Sequence, residues 1–157
     1  MKRVLSNETC DKLISYTSDK EWERVETVGH YDQVFVDDTS LVQQFENFIG
    51  KKFLKTPIMK VCKFEKGDYI STSTFDYSKA SGLEYKKYAD TNFVLQIHLN
   101  DNFEGGAISS GSQTYDVEKG YGLVQNRSTK CSISKINKGV GYYLFIFITG
   151  YKSNNLL

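Results

Sequence analysis

Apolar residues recur at two different periods along the chain, and the change of period divides it. Near the N-terminus, Cys10, Leu13, Ile14 and Thr17 are spaced to share one face of a helix, and Ser6 stands where a cap accepts the first free amide. Leu41, Val42, Phe45, Phe48 and Ile49 repeat that spacing over 40–49, with Thr39 or Ser40 available as cap and Gly50 as terminator. After Lys55 the pattern changes to short runs of β-branched, aromatic and apolar residues separated by Gly, Asn and Asp. Segments 58–64, 93–99, 122–125, 131–136 and 142–149 are the clearest predicted strands, with turns at Asn100-Asp101-Asn102 and Glu104-Gly105-Gly106. Two helices followed by many antiparallel strands predict an α+β domain built on a β-sandwich or barrel.

Composition sharpens this picture. A chain of 157 residues with a single Pro fits one domain spanning 1–157, long enough to bury about two-thirds of its unfolded surface. Twenty basic residues against 19 acidic ones leave no global field to attract nucleic acid or an anionic membrane. Lys51, Lys52, Lys55, Lys60, Lys63 and Lys66 do cluster, and read first as a solvated face. Cys10, Cys62 and Cys131 are odd in number and far apart, which argues against a disulfide framework or structural zinc and for a reducing compartment. The opening residues turn polar after Val4 and Leu5, and no run approaches the ~20 apolar residues of a membrane span, so a cytoplasmic location is expected. Oligomeric state is not written in the sequence.

Several segments, taken in order, resemble the prolyl-hydroxylase-like branch of the 2-oxoglutarate/iron(II) oxygenases over nearly the whole chain. Val4 to Ile14 resembles the family's entry helix, and Phe64-Glu65-Lys66-Gly67-Asp68-Tyr69-Ile70 its strand pair leading to the first metal ligands. Ile97-His98-Leu99-Asn100-Asp101-Asn102-Phe103-Glu104-Gly105-Gly106 is similar to the family's "YLN-x-x-F-x-GG", the most specific match. Val117-Glu118-Lys119-Gly120 and Ile133 to Gly139 resemble its "V-x-P-x-x-G" and "V-x-x-V-x-x-G". The resemblance implies a double-stranded β-helix, or jelly roll, with the two helices packed on one sheet.

The family's chemistry needs iron held by two His and one carboxylate, with open positions for 2-oxoglutarate and dioxygen. The matching positions here do not supply that set. Strict spacing places Ser73 at the first His and Phe75 at the carboxylate; a one-residue insertion gives Thr74 and Asp76 instead. The distal His falls on Cys131, or on Lys130 with a slip of one. The basic residue that clamps the far carboxylate of 2-oxoglutarate is matched by Gly141, which has no side chain to pair, and the cosubstrate-binding Tyr by Phe64. Asp76 alone survives, as a relic ligand, a turn cap or an exposed acid. No catalytic residue and no cofactor is therefore expected.

The expected function is a non-catalytic oxygenase-like domain that binds a protein or small ligand, of the kind found among viral and phage factors acting on host proteins. The loop 76–91, with Tyr77, Tyr85, Lys86, Lys87 and Tyr88, is the candidate binding segment. Trp22, Phe35 and Phe75 join these tyrosines as either recognition surface or core. Two alternatives stand beside it. One is an active dioxygenase using iron(II) and 2-oxoglutarate through unorthodox ligands such as Asp76, Cys131 and His98. The other is a nucleotide or anion binder that uses the emptied pocket with lysines at its rim. The His30-Tyr31-Asp32 triplet has the form of a metal motif, but the pattern places it in the connection between the helices, and His98 on a sheet with a hydrogen-bonded ring. Cys131 is read as a small buried hydrophobe rather than a nucleophile.

Overall fold

The computed structural model describes residues 1–80 and 82–153. After the short strand β1 (Lys2–Arg3), helix α1 (Asn7–Thr17) starts at Ser6, whose side chain accepts from the Thr9 amide, and it buries Cys10, Leu13 and Thr17. Helix α2 (Thr39–Ile49) buries Leu41 and Phe45 and stops at Gly50, whose φ of 80° is a left-handed conformation that glycine adopts without cost. Its cap is Asp38, not Thr39 or Ser40: the Asp38 carboxylate accepts from the amides of Ser40 and Leu41, so the helix begins one residue earlier than the apolar period suggests.

Between the helices lies a hairpin, β2 (Glu23–Val25) and β3 (Gly29–Val36), where the sequence pattern suggests only a connection. His30 accordingly stands on a strand. The chain continues through β4 (Ile58–Phe64), β5 (Tyr69–Ser73), the single-turn helix α3 (Leu83–Lys86) and β6 (Phe93–His98). Then come β7 (Glu104–Gly105), β8 (Ile108–Ser110), β9 (Gln113–Tyr115) and β10 (Tyr121–Asn126), followed by β11 (Cys131–Ile133), β12 (Ile136–Lys138) and β13 (Gly141–Ile148). The predicted strand over 131–136 is thus two strands with different partners: β11 pairs with β5 and β8, and β12 pairs with β7.

The strands form a curled antiparallel sheet in the order β1-β10-β6-β13-β4-β3-β5-β11-β8-β9, with β2 on the edge of β3. It folds over at β3, which pairs with β4 along Asp32–Val36 and with β5 at Gly29 and His30. The result is the jelly roll: a large sheet from β1 to β3 facing a smaller one from β5 to β9.

Both faces of the large sheet are covered, which explains its nearly continuous apolar strands. On β13, Leu144, Ile146 and Ile148 join the core beneath α1 and α2, together with Leu13, Leu41 and Phe45. The alternate residues Tyr143, Phe145 and Phe147 point between the two sheets, where they meet Tyr31, Phe64, Phe75 and, from the smaller sheet, Ile70, Ile108 and Ile133. Each such side chain contributes about 1.5–3 kcal/mol by leaving water. Among the described residues no helix is long and apolar enough to cross a membrane.

Candidate functional site

The space between the sheets is where the matched metal and cosubstrate positions converge. Cys131 on β11 is the register partner of Ser73 on β5, so the two positions aligned with the family's histidines stand directly opposite each other. The Cys131 thiol donates to the Ser73 carbonyl at 3.6 Å. Burial pushes its pKa up to about 11, so the thiolate that metal binding or nucleophilic attack requires is disfavoured.

The third position is filled by a hydrocarbon ring. Phe75 is buried, with its edge toward Phe145 at 6.2 Å and Phe147 at 6.1 Å between ring centroids. Asp76, the carboxylate of the alternative register, is exposed and closes its own turn by accepting from the Ser78 amide at 3.1 Å and the Ser78 hydroxyl at 2.6 Å. Those bonds hold its pKa below the usual carboxylate value. Thr74, the alternative match to the first His, is half-buried.

The cosubstrate end is filled as well. Phe64 stacks on Tyr31 at 5.0 Å and meets the edge of Tyr143 at 4.9 Å. The Tyr143 hydroxyl donates to the Gly106 carbonyl at 2.5 Å. A Cβ on Gly141 would lie 3.1 Å from the Phe103 ring, so the space a basic clamp would occupy belongs to Phe103. Among the described residues no three His, Cys, Asp or Glu side chains are grouped to hold a metal ion. The residues present therefore do not fit iron(II) or 2-oxoglutarate.

The two histidines do not supplement them. His30, on β3, is half-buried with its ring 5.4 Å from Tyr69. His98 is fully buried on β6 beside Tyr143, with both ring nitrogens unbonded, not on the hydrogen-bonded ring expected from sequence. Burial drives its pKa down to about 4, opposed by the charge of Asp101, so the ring is neutral at pH 7.

Tyr77, Tyr85 and Tyr88 of the expected binding loop form a lid of stacked rings. Tyr77 lies parallel to Tyr85 at 5.6 Å and contacts Tyr88 at 5.2 Å; Tyr88 is buried against Phe147 at 4.4 Å. The Tyr85 hydroxyl bonds Thr27 ahead of β3, tying the lid to the hairpin. Lys86 is exposed, while Lys87 lays its ammonium 3.9 Å over the Phe35 ring. Trp22 is half-buried under Lys63. The proposed aromatic set thus divides: Phe75 and Tyr88 are core, Tyr77 and Tyr85 are lid, and Phe35 remains partly open.

The lysine cluster also divides. Lys51 sits over the Tyr151 ring, Lys52 and Lys55 pair with Glu46 and Asp90, and Lys66 is exposed. Lys60 departs from the solvated face: β4 turns it inward, where it is 4% exposed. Its ammonium donates to the Gln33 carbonyl oxygen at 2.7 Å and the Tyr31 hydroxyl at 3.1 Å. No signal in the sequence singles it out among six similar lysines except its inward parity with Cys62 and Phe64.

No family model matches the chain, and no curated protein matches it in sequence. Solved structures do. A viral collagen prolyl hydroxylase from Paramecium bursaria Chlorella virus 1, as its 2-oxoglutarate complex, superposes with a TM-score of 0.73 at 13% identity, over 94% of this chain and 93% of that one. The fold is that of the prolyl-hydroxylase-like oxygenases. A Pseudomonas putida prolyl-4-hydroxylase shares this oxygenase fold with a TM-score of 0.69 at 11% identity, over 94% of this chain and 89% of that one. A 2-oxoglutarate/iron(II) oxygenase-family oxidoreductase from Burkholderia pseudomallei gives 0.68 at 12%, over 98% and 85%.

Proposed function

We propose that this chain uses the oxygenase fold as a non-catalytic binding domain for a protein or small ligand. The observation that supports the reading is the packed interior: Phe75, which strict spacing matches to the ligand carboxylate, lies buried over Phe145 and Phe147. Phe103 similarly crowds Gly141, the residue matched to the cosubstrate clamp. Filling these positions contributes to stability what the fold gives up in open coordination space. The lid over 76–91 supports the binding half of the reading, because it leaves a recess against β2 and β3 rather than over the metal positions.

The unorthodox-ligand alternative is weakened by geometry. Asp76 points to solvent, the Cys131 thiol is held protonated, and His98 is enclosed by Tyr143. The test is anaerobic loading with iron(II), followed by 2-oxoglutarate and air, with succinate measured against a no-protein blank. Succinate at the level of the blank is expected. Iron-dependent succinate above it would overturn the proposal.

A further inference from the structure

The recess between the lid and the β2–β3 hairpin has a volume of about 310 Å³, near the lower end of small-molecule sites. Lys60, Tyr31, Gln33, Tyr85, Tyr88 and Lys87 are among its lining residues. Its distinguishing feature is the charge at its base. Buried ammonium groups are expected to be paired with a carboxylate, and among the described residues none of the ion pairs includes Lys60. Its contacts are neutral: the Gln33 amide oxygen, the Tyr31 hydroxyl, and the faces of Tyr31, Tyr88 and Phe147 at 5.2 to 5.4 Å.

Glu23, on the exposed edge of the hairpin, makes no ion pair with Lys60: it accepts from the Gln33 amide nitrogen at 2.6 Å and acts on the ammonium only through its charge. Burial is the main cause that lowers the Lys60 pKa, and the positive charge of Lys87 adds to it. The charge of Glu23 acts in the opposite direction. Lys60 is thus buried among dipoles and rings, with no carboxylate within ion-pair distance among the described residues.

We propose that this recess binds a small organic carboxylate whose charge pairs with Lys60. The proposal rests on the binding reading above and names its ligand class. The Tyr31 hydroxyl accepts from Lys60 and so keeps its own hydrogen for an incoming oxygen. The Lys87 ammonium lies at the mouth as a second partner, and the walls of Tyr85 and Tyr88 suit an apolar or aromatic body. One buried cation, with Glu23 and Glu26 at the rim, favours a singly charged group over a phosphate, and the small volume favours a free molecule over a protein segment.

The experiment is calorimetry and thermal unfolding of the full chain with sodium benzoate and sodium acetate, against sodium chloride at equal ionic strength and with a chelator present. Saturable binding of either carboxylate is expected. A charge-assisted bond to a buried ammonium implies that Lys60→Met weakens it by about tenfold or more. Lys87→Met should weaken it less, and Lys55→Met, at an exposed lysine, should leave it unchanged. If Lys60→Met does not fold, the Lys60 ammonium signal in the wild-type nuclear magnetic resonance spectrum must still shift on titration with benzoate and stay fixed with benzamide. A response no larger than chloride's, or one that survives Lys60→Met, overturns the assignment. The chelator separates this outcome from the iron assay, where succinate formation would defeat the non-catalytic reading without touching the carboxylate site.

Discussion

Replacing His98 by leucine should stabilise the protein, and more so in acid. In the folded chain both ring nitrogens are buried without a partner, and the pKa falls from the ordinary 6.5 to about 4 because burial disfavours the imidazolium. The unfolded chain therefore holds this proton more tightly than the folded one. Stability from His98 is fully present above pH 6.5, is lost as the pH falls from 6.5 to about 4, and is constant below that. At about 1.4 kcal/mol per tenfold difference in proton affinity, the loss across this window is roughly 3 kcal/mol. Leucine has no such proton and leaves no unpaired nitrogen, a further gain of about 1–3 kcal/mol at neutral pH. The assay is urea unfolding of both proteins at pH 7.5, 6.5, 5.5 and 4.5. Titration of carboxylates common to both cancels in the difference, so the gap between the two curves should widen steadily below pH 6.5. Parallel curves, or a leucine variant less stable at every pH, would refute the reasoning.

Three further outcomes follow from the packed interior and the hairpin. Phe75→Ala should cost about 3–5 kcal/mol in urea unfolding, because the cavity opens between Phe145 and Phe147; a loss under about 1 kcal/mol would mean the ring is not core. Gly141→Lys should lower the melting temperature without creating 2-oxoglutarate binding, since its side chain meets Phe103 and Tyr143; calorimetry with 2-oxoglutarate checks the second half. Asp68→Ala should cost about 1–3 kcal/mol, chiefly by leaving the Glu65 amide without its acceptor, while Arg24 keeps Asp32 and Glu26. A double-mutant cycle with Arg24→Met should assign under about 1 kcal/mol of that to the ion pair, because Arg24 is 43% exposed.

The helices were legible because Leu13, Ile14, Leu41 and Phe45 repeat at a period no strand shares, and β4, β6 and β13 because their apolar runs are long. Strand β3 was hidden by its own function. Its inward positions include Gln33, held by Lys60, and its other face carries His30 and Asp32, so apolar alternation is broken where polar contacts replace it. The split between β11 and β12 did leave a mark, since the buried Ile133 and Ile136 are three residues apart and cannot both lie on one face of a straight strand. The matched metal positions were readable one by one. That Cys131 faces Ser73 and that Phe75 fills the space between sheets depends on register and curl. Lys60 needed partners from β3 and the lid, elements separated from it by more than a helix of sequence.

The strand shared by the two sheets has a mechanical consequence. Because β3 gives its first residues to β5 and its later ones to β4, the sheets cannot part along this edge without breaking the ladder of β3 to one of them. The change of partner falls between His30 and Asp32, and β5 approaches closely at Gly29, where a side chain would run into the Tyr69 carbonyl and the Ile70 backbone. Opening of either sheet is therefore transmitted to the other through the eight residues of β3, and a carboxylate bound as proposed against Tyr31 and Gln33 would hold the fold at its seam.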